Sequence, residues 1–155
     1  MKLQGTKLLI ITGLLLFIVM GCDKTTFTTK PQISFKNIGN TTLSITNPVI
    51  LFEIRFTDKE GDIQDTLWVQ KISKVCPNSP GVQFISKNKV PDFTSVPNQE
   101  GVLEIGFAYN ANIGNYPVIT GCSNRNDTAT FKFWLRDKAK NISDTLVSPP
   151  IILLR

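Results

Sequence analysis

The chain of 155 residues predicts an all-β fold, an antiparallel sandwich of about seven or eight strands. Three observations carry that expectation. Short windows alternate apolar and polar residues with the period of two that a half-buried strand requires, and no window sustains the 3.6-residue period of an amphipathic helix. The windows are separated by clusters of Pro, Gly and Asn, the residues that turns demand. The third observation is a pattern that occurs twice, at 56–67 and at 135–146. Both copies hold Asp-Lys (Asp58-Lys59 and Asp137-Lys138), an Asp or Asn four residues after the first Asp (Asp62 and Asn141), an Ile, and then Asp-Thr-Leu. Each copy reads as an incoming strand, a tight acidic tip and an outgoing strand.

The chain opens on something other than this domain. Lys2 and Lys7 give a positive start, residues 8–20 are almost wholly apolar, and Gly21-Cys22 follows. That is the layout of an export signal, too short for a comfortable membrane span. Val19-Met20-Gly21-Cys22 resembles a bacterial lipobox, with an aliphatic residue at −3, a small residue at −1 and Cys at +1. The resemblance implies that the Cys22 thiol carries a diacylglycerol, that the signal 1–21 is cut off, and that the new amine is acylated, as by palmitate. Each buried methylene contributes about 0.8 kcal/mol, so two or three chains give stable anchoring where one does not. The implied address is the bacterial cell envelope, lipid-anchored at the outer membrane. No later stretch approaches the ~18 apolar residues of a spanning helix. Residues 22–32, polar and rich in Thr, read as the lipidated tether, and 33–155 as the folded domain.

Composition narrows the functions. Losing Lys2 and Lys7 with the signal takes the formal net charge from +5 to +3, and no long basic run exists. Nucleic acid is therefore not an expected partner. The chain has no His, which removes the commonest general base and metal ligand. With Cys22 lipidated, Cys76 and Cys122 remain as an even pair in an oxidising compartment, and a disulfide is the expectation. Both lie beside turn residues, Pro77 and Gly121, so the bridge should staple two loops.

The strands follow in order. Residues 33–38 alternate (Ile33 and Phe35 against Ser34 and Lys36) before Gly39-Asn40, and Leu43 and Ile45 alternate before Asn47-Pro48. Residues 49–57 form the clearest strand so far, with Phe52, Ile54 and Phe56 on one face. After the first tip, 66–75 is a strand with mixed faces, Trp68 and Ile72 against Leu67 and Val69, and a bulge or two-sided burial would explain it. Residues 82–85 make a short strand, and 86–100, with Pro91 and Pro97, an irregular connection. Residues 101–110 place Leu103, Ile105, Phe107 and Tyr109 together; 110–127 is loop; 128–136 sets Phe131, Phe133 and Leu135 against Lys132, Trp134 and Arg136. After the second tip, Pro149-Pro150 leads into 151–154, placed at a sheet edge because Pro cannot complete a ladder.

Residues 133–143, from Phe133-Trp134 through Asp137-Lys138-Ala139-Lys140-Asn141, resemble the end of many bacterial immunoglobulin-like and fibronectin-III-like modules. Those modules carry an aromatic strand, Asp-x-Ala-Gly-Asn and an outgoing strand. Lys140 stands where they commonly hold Gly. The resemblance implies an immunoglobulin-like sandwich and says little about function.

In such a sandwich the two tips share one end, which would gather Asp58, Asp62, Asp137 and Asn141 into an oxygen-rich pole. Ca²⁺ takes six to eight oxygen ligands, so the pole is a candidate calcium site. The alternative is plain turn chemistry, because Asp and Asn bond their own backbone; Lys59 and Lys138 lie within the tips and could neutralise the carboxylates. The triplets Asp65-Thr66-Leu67, Asp127-Thr128-Ala129 and Asp144-Thr145-Leu146 resemble an O-glycosylation signal of exported proteins in one Gram-negative phylum, which would put sugars on Thr66, Thr128 and Thr145. The alternative is that Thr simply opens a strand after a turn.

No nucleophile–base pair is legible, so catalysis is not expected and no catalytic residue is assigned. The expected function is that of a membrane-anchored, non-enzymatic binding or adhesion module for a protein or glycan, using the tip pole and aromatics such as Trp68, Trp134, Tyr109 and Tyr116. The alternative is a structural or accessory subunit of an envelope complex, docking through an open edge at 151–154.

Overall fold

The computed structural model describes residues 25–155. Cys22, the signal 1–21 and the first residues of the expected tether lie outside the described residues. The described chain is all-β, with ten strands and no helix. In order these are β1 Gln32–Ile38, β2 Thr42–Leu43, β3 Val49–Asp58, β4 Thr66–Ser73, β5 Phe84–Lys89, β6 Gln99–Tyr109, β7 Val118–Ile119, β8 Asp127–Arg136, β9 Leu146–Val147 and β10 Ile151–Leu153. One sheet has the order β1-β3-β6-β7; the other runs β2-β10-β8-β4-β5, with β9 also on β8. The long pairs are antiparallel, but β2–β10 and β6–β7 are parallel, so both sheets are mixed rather than purely antiparallel.

One apolar cluster joins the two sheets. Phe52 of β3 sits 5.0 Å from Phe131 and 4.9 Å from Phe133 of β8, centroid to centroid. Around them Ile50, Ile54, Phe107, Leu135, Ile151 and Leu153 are fully buried. The alternation in β3 and β8 has its expected physical result, with Phe52, Ile54 and Phe56 inward on one and Phe131, Phe133 and Leu135 inward on the other.

Four expectations need correction. β4 has no bulge. Leu67, Val69, Lys71 and Ser73 all point inward, and Thr66, Trp68, Gln70 and Ile72 outward. The faces looked mixed because a lysine occupies a core position. Lys71 is fully buried, and its Nζ donates to the Val82 carbonyl at 2.6 Å. Burial pushes its pKa down to about 8, against the pull of Asp127. The second correction is that residues 84–89 form a full strand on β4, where an irregular connection from residue 86 was expected. β5 carries Ile85, Lys87 and Lys89 on its exposed face, a polar edge composition that hides a strand from hydropathy. Third, the segment 110–127 is not all loop, because β7 pairs with β6.

The fourth concerns the C-terminal strand. β10 is not an edge: β8 lies on one side and β2 on the other. The chain from Ile142 to Leu153 runs along β8 with its register slipping twice, between Arg136↔Ile142, Phe133↔Leu146 and Ala129↔Ile151. A serine repairs each slip. Ser143 donates its N–H to the Leu135 carbonyl at 2.8 Å, and its Oγ accepts the Leu135 N–H at 2.9 Å. Ser148 does the same for Phe131, at 2.8 and 2.9 Å. Each hydroxyl stands in for a backbone carbonyl that the slip has moved away, so no buried strand amide is orphaned there. Pro149 and Pro150 fall at the second slip, where no N–H is required.

Cys76 and Cys122 form the expected disulfide, with Cα atoms 5.9 Å apart and a sequence separation of 46. It joins the loop after β4 to the loop before β8, and on chain-entropy grounds contributes about 4 kcal/mol. Close by, Asp127 is buried and accepts the Ser73 hydroxyl at 2.7 Å. This end of the domain lies opposite the two acidic tips, since β8 runs from Asp127 at one end to Arg136 at the other.

Candidate functional site

The acidic tips meet, as the strand order requires. β3 ends at Asp58 and β8 ends one residue before Asp137, at the same pole. The two copies use one backbone device. The Asp58 Oδ2 accepts the N–H of Gly61 at 2.6 Å and of Asp62 at 3.1 Å. The Asp137 Oδ1 accepts the N–H of Asn141 at 2.7 Å. In each copy the first Asp ties down the residue four positions on, and the residue between is left-handed: Gly61 at φ 71° and Lys140 at φ 75°. The tips are also bonded to each other, Lys138 N–H to the Asp62 carbonyl at 2.8 Å.

The carboxylates of Asp58, Asp62 and Asp137 converge, with one oxygen from each within 4.8 Å of the others. Asp58 and Asp137 are fully buried, and Asp62 is half-buried. Asn141 is bonded to the cluster. Its Nδ2 donates to Asp137 Oδ2 at 2.8 Å, so it holds Asp137 in place. Lys59 and Lys138 are exposed, and neither forms an ion pair with the cluster among the described residues. Burial raises the Asp58 carboxyl above the usual carboxylate range. The amides of Asp62 and Gly61 pull it back, and the charges of Asp62 and Asp137 reinforce the rise.

Asp65, closing the first copy, is where the compensating cations gather. Arg136 clasps it with Nε to Oδ2 at 2.9 Å and Nη2 to Oδ1 at 3.1 Å, and Lys140 Nζ reaches Oδ2 at 2.8 Å. The hydrogen bonds from Arg136, Lys140 and Thr66 hold its carboxyl well below the ordinary range. Sequence reading missed this hub because Asp65 looked like one more turn residue.

A second feature lies on the outward face of the β8-β4-β5 layer. Trp68 and Trp134 are register partners and stack with centroids 6.2 Å apart and planes within 7°. The Arg136 guanidinium carbon sits 4.7 Å from the Trp68 ring centroid. Beside Trp134 is a groove of about 540 Å³ whose lining includes Gln70, Lys132, Thr145 and Val147. Lys87 is opposite Trp68 on β5, and neither it nor Lys132 makes an ion pair among the described residues. A signal for the pairing was present: Trp68 stands three residues after Asp65, and Trp134 three before Asp137. The other two aromatics do not join this face. Tyr109 is buried in the core, and Tyr116 lies against Gly106, where a Cβ would come 2.6 Å from its ring.

The three threonines differ in access. Thr145 is exposed, Thr66 and Thr128 are half-buried on the outward faces of β4 and β8, and the Thr66 hydroxyl donates to Asp65 Oδ1 at 2.7 Å. Residues 28–30, within the expected tether, are bonded to both tips. Thr28 O accepts the Lys59 N–H at 3.1 Å, Thr29 Oγ1 donates to Glu60 at 3.1 Å, and Lys30 pairs with Asp144 at 2.6 Å.

Comparison of the chain with protein-family models, with characterised proteins and with solved structures returns no match.

Proposed function

We propose that this is a lipid-anchored protein of the bacterial envelope, held at the outer membrane through Cys22, whose folded part is an immunoglobulin-like sandwich that binds a ligand rather than transforming one. Two sequence features support the anchor: the positive start with its apolar run, and Val19-Met20-Gly21-Cys22. The fold reading draws on strand order. The runs β1-β3-β6 and β10-β8-β4-β5 correspond to the A-B-E and G-F-C-C′ orders of immunoglobulin-like domains.

The observation that carries the binding reading is the stacked Trp68–Trp134 pair beside a shallow groove. Indole faces offer large apolar area with little entropy to lose. Gln70, Lys132 and Thr145 add hydrogen-bonding groups, and Lys87 and Lys132, which make no ion pair among the described residues, add positive charge. A ligand with flat C–H faces, hydroxyls and a carboxylate matches that combination, so the reading commits to an acidic glycan. Presenting full-length protein in detergent to an array of acidic and neutral glycans tests it. Binding confined to acidic glycans, weakened at least tenfold in Trp134→Ala and less in Lys132→Ala, is the expected result. No glycan binding, or binding indifferent to Trp134, rejects the reading. Cys22→Ser, followed by membrane fractionation and intact-mass measurement, tests the anchor separately; a protein that keeps its lipid mass without Cys22 refutes it. The same mass measurement on native protein reports any sugars on Thr66, Thr128 or Thr145.

A further inference from the structure

The tip pole carries a charge problem that its hydrogen bonds do not solve. Three carboxylates, two of them fully buried, bring an oxygen each within 4.8 Å of one another. Turn chemistry accounts for Asp58 Oδ2 and for both oxygens of Asp137. It leaves Asp58 Oδ1 and Asp62 Oδ1 buried and without any hydrogen-bond partner. A buried carboxylate oxygen with no donor costs far more than an exposed one, and like charges this close raise the cost. Cations are near, yet they go elsewhere: Arg136 and Lys140 both bind Asp65.

The opposite end of β8 provides a control. Asp127 also has a buried, unpartnered Oδ2 and also lies in a group with two possible ligands, Cys76 and Cys122. There the sulfurs are tied up in the disulfide, and the charge of the buried Lys71 acts on the carboxylate. That end has a buried lysine whose charge reaches the carboxylate. Among the described residues no cation forms an ion pair with the tip cluster.

We infer that the Asp58–Asp62–Asp137 cluster is a binding site for a hard divalent cation, Ca²⁺. The donors are all carboxylate oxygens, which excludes the thiolate and imidazole preferences of Zn²⁺ and Cu²⁺. They come from two separate loops, and Ca²⁺ tolerates the irregular geometry that such loops supply better than Mg²⁺ does. Asn141 is a positioning residue, holding Asp137 through its backbone N–H and its amide. Binding would join the two copies of the repeat through one ion, beside the direct Lys138–Asp62 bond. The site is independent of the glycan face, so each can fail without the other.

The test uses full-length protein in detergent, stripped with a chelator and titrated with CaCl₂ or MgCl₂ by calorimetry and by thermal melting. Expected are one Ca²⁺ per chain with a Kd of roughly 0.1–1 mM, the range of extracellular modules, and a melting temperature raised by about 5–10 °C at saturation. Mg²⁺ should give a smaller shift. Asp62→Asn, at a half-buried position, should keep the fold and abolish the response, and Asn141→Ala should weaken it at least fivefold. Asp58→Asn should melt higher than the stripped wild type and no longer respond to Ca²⁺. The proposal is overturned by no heat and no shift up to about 10 mM of either ion. It is overturned equally by a Ca²⁺ response that survives in Asp62→Asn and Asp58→Asn, or by a stripped protein stabilised only by acid, which would mean a shared proton in place of the ion.

Discussion

The two copies of the repeat share a backbone and differ in how much their surroundings restrict it. Asp58 and Asp137 make the same four-residue reach, and the third residue after each is left-handed. At Gly61 a Cβ would lie 2.1 Å from the Val96 carbonyl oxygen, so the position is closed to every side chain. Lys140 adopts the same φ in the open and spends its side chain on Asp65. Left-handed geometry costs an L-residue about 1–2 kcal/mol. A repeated turn thus preserves its hydrogen-bonding residue in both copies, while glycine is obligatory only where the neighbours leave no room.

Four substitutions break or sharpen this comparison. The largest effect is expected from Gly61→Ala, which combines a backbone clash with a strained φ. It should cost at least about 3 kcal/mol, read as a lower urea midpoint, whereas Lys140→Ala should stay within about 1 kcal/mol of wild type. Asp65→Asn comes next, because Asp65 links the first copy to Arg136 and Lys140 of the second. It should cost about 1–2 kcal/mol at neutral pH. The folded pKa of Asp65 is depressed, so the stability it adds is complete above the unfolded carboxyl value of about 3.9 and is lost as pH falls below it. The gap between variant and wild type should therefore narrow under acid; a gap that widens or stays constant contradicts the hub. The smallest effect belongs to Lys140→Gly. Relief of the left-handed strain is offset by a freer unfolded chain and a lost exposed ion pair, so stability should rise by no more than about 1 kcal/mol. A loss above that value would mean that Lys140 contributes more to the second tip than its exposed bond to Asp65.

What could be read in advance followed from local chemistry. The inward triplets Phe52-Ile54-Phe56 and Phe131-Phe133-Leu135 alternate strictly, and a strand with one buried face has no other way to hold them. Cys76 and Cys122 were the even pair that remained once Cys22 was set aside. The convergence of Asp58, Asp62 and Asp137 followed from treating both copies as the same corner. The rest was decided by partners distant in sequence. Lys71 reads as a surface residue until the Val82 carbonyl is placed over its ammonium. β10 reads as an edge because nothing near Thr42 announces that a two-residue strand will cover it. β5 lacked an apolar face to notice. Ser143 and Ser148 look like ordinary linker serines; their function appears only when β8 is alongside, offering amides that slipped register would otherwise leave bare.

The bonds of residues 28–30 to the tips give the domain a direction under load. The chain enters at the acidic pole, and β1 starts there, with Gln32 opposite Thr57 at the same end of β3. A force drawn out of that pole along the strand axis first strains the attachments at Lys59, Glu60 and Asp144. It then meets the β1–β3 ladder in shear. Ladder bonds lie perpendicular to the strands, so they share that load and yield together. A sideways tug on the same residues instead peels β1 away one bond at a time. A molecule tethered at this pole would hold firm against a steady drag along its length and give way to a twist across it.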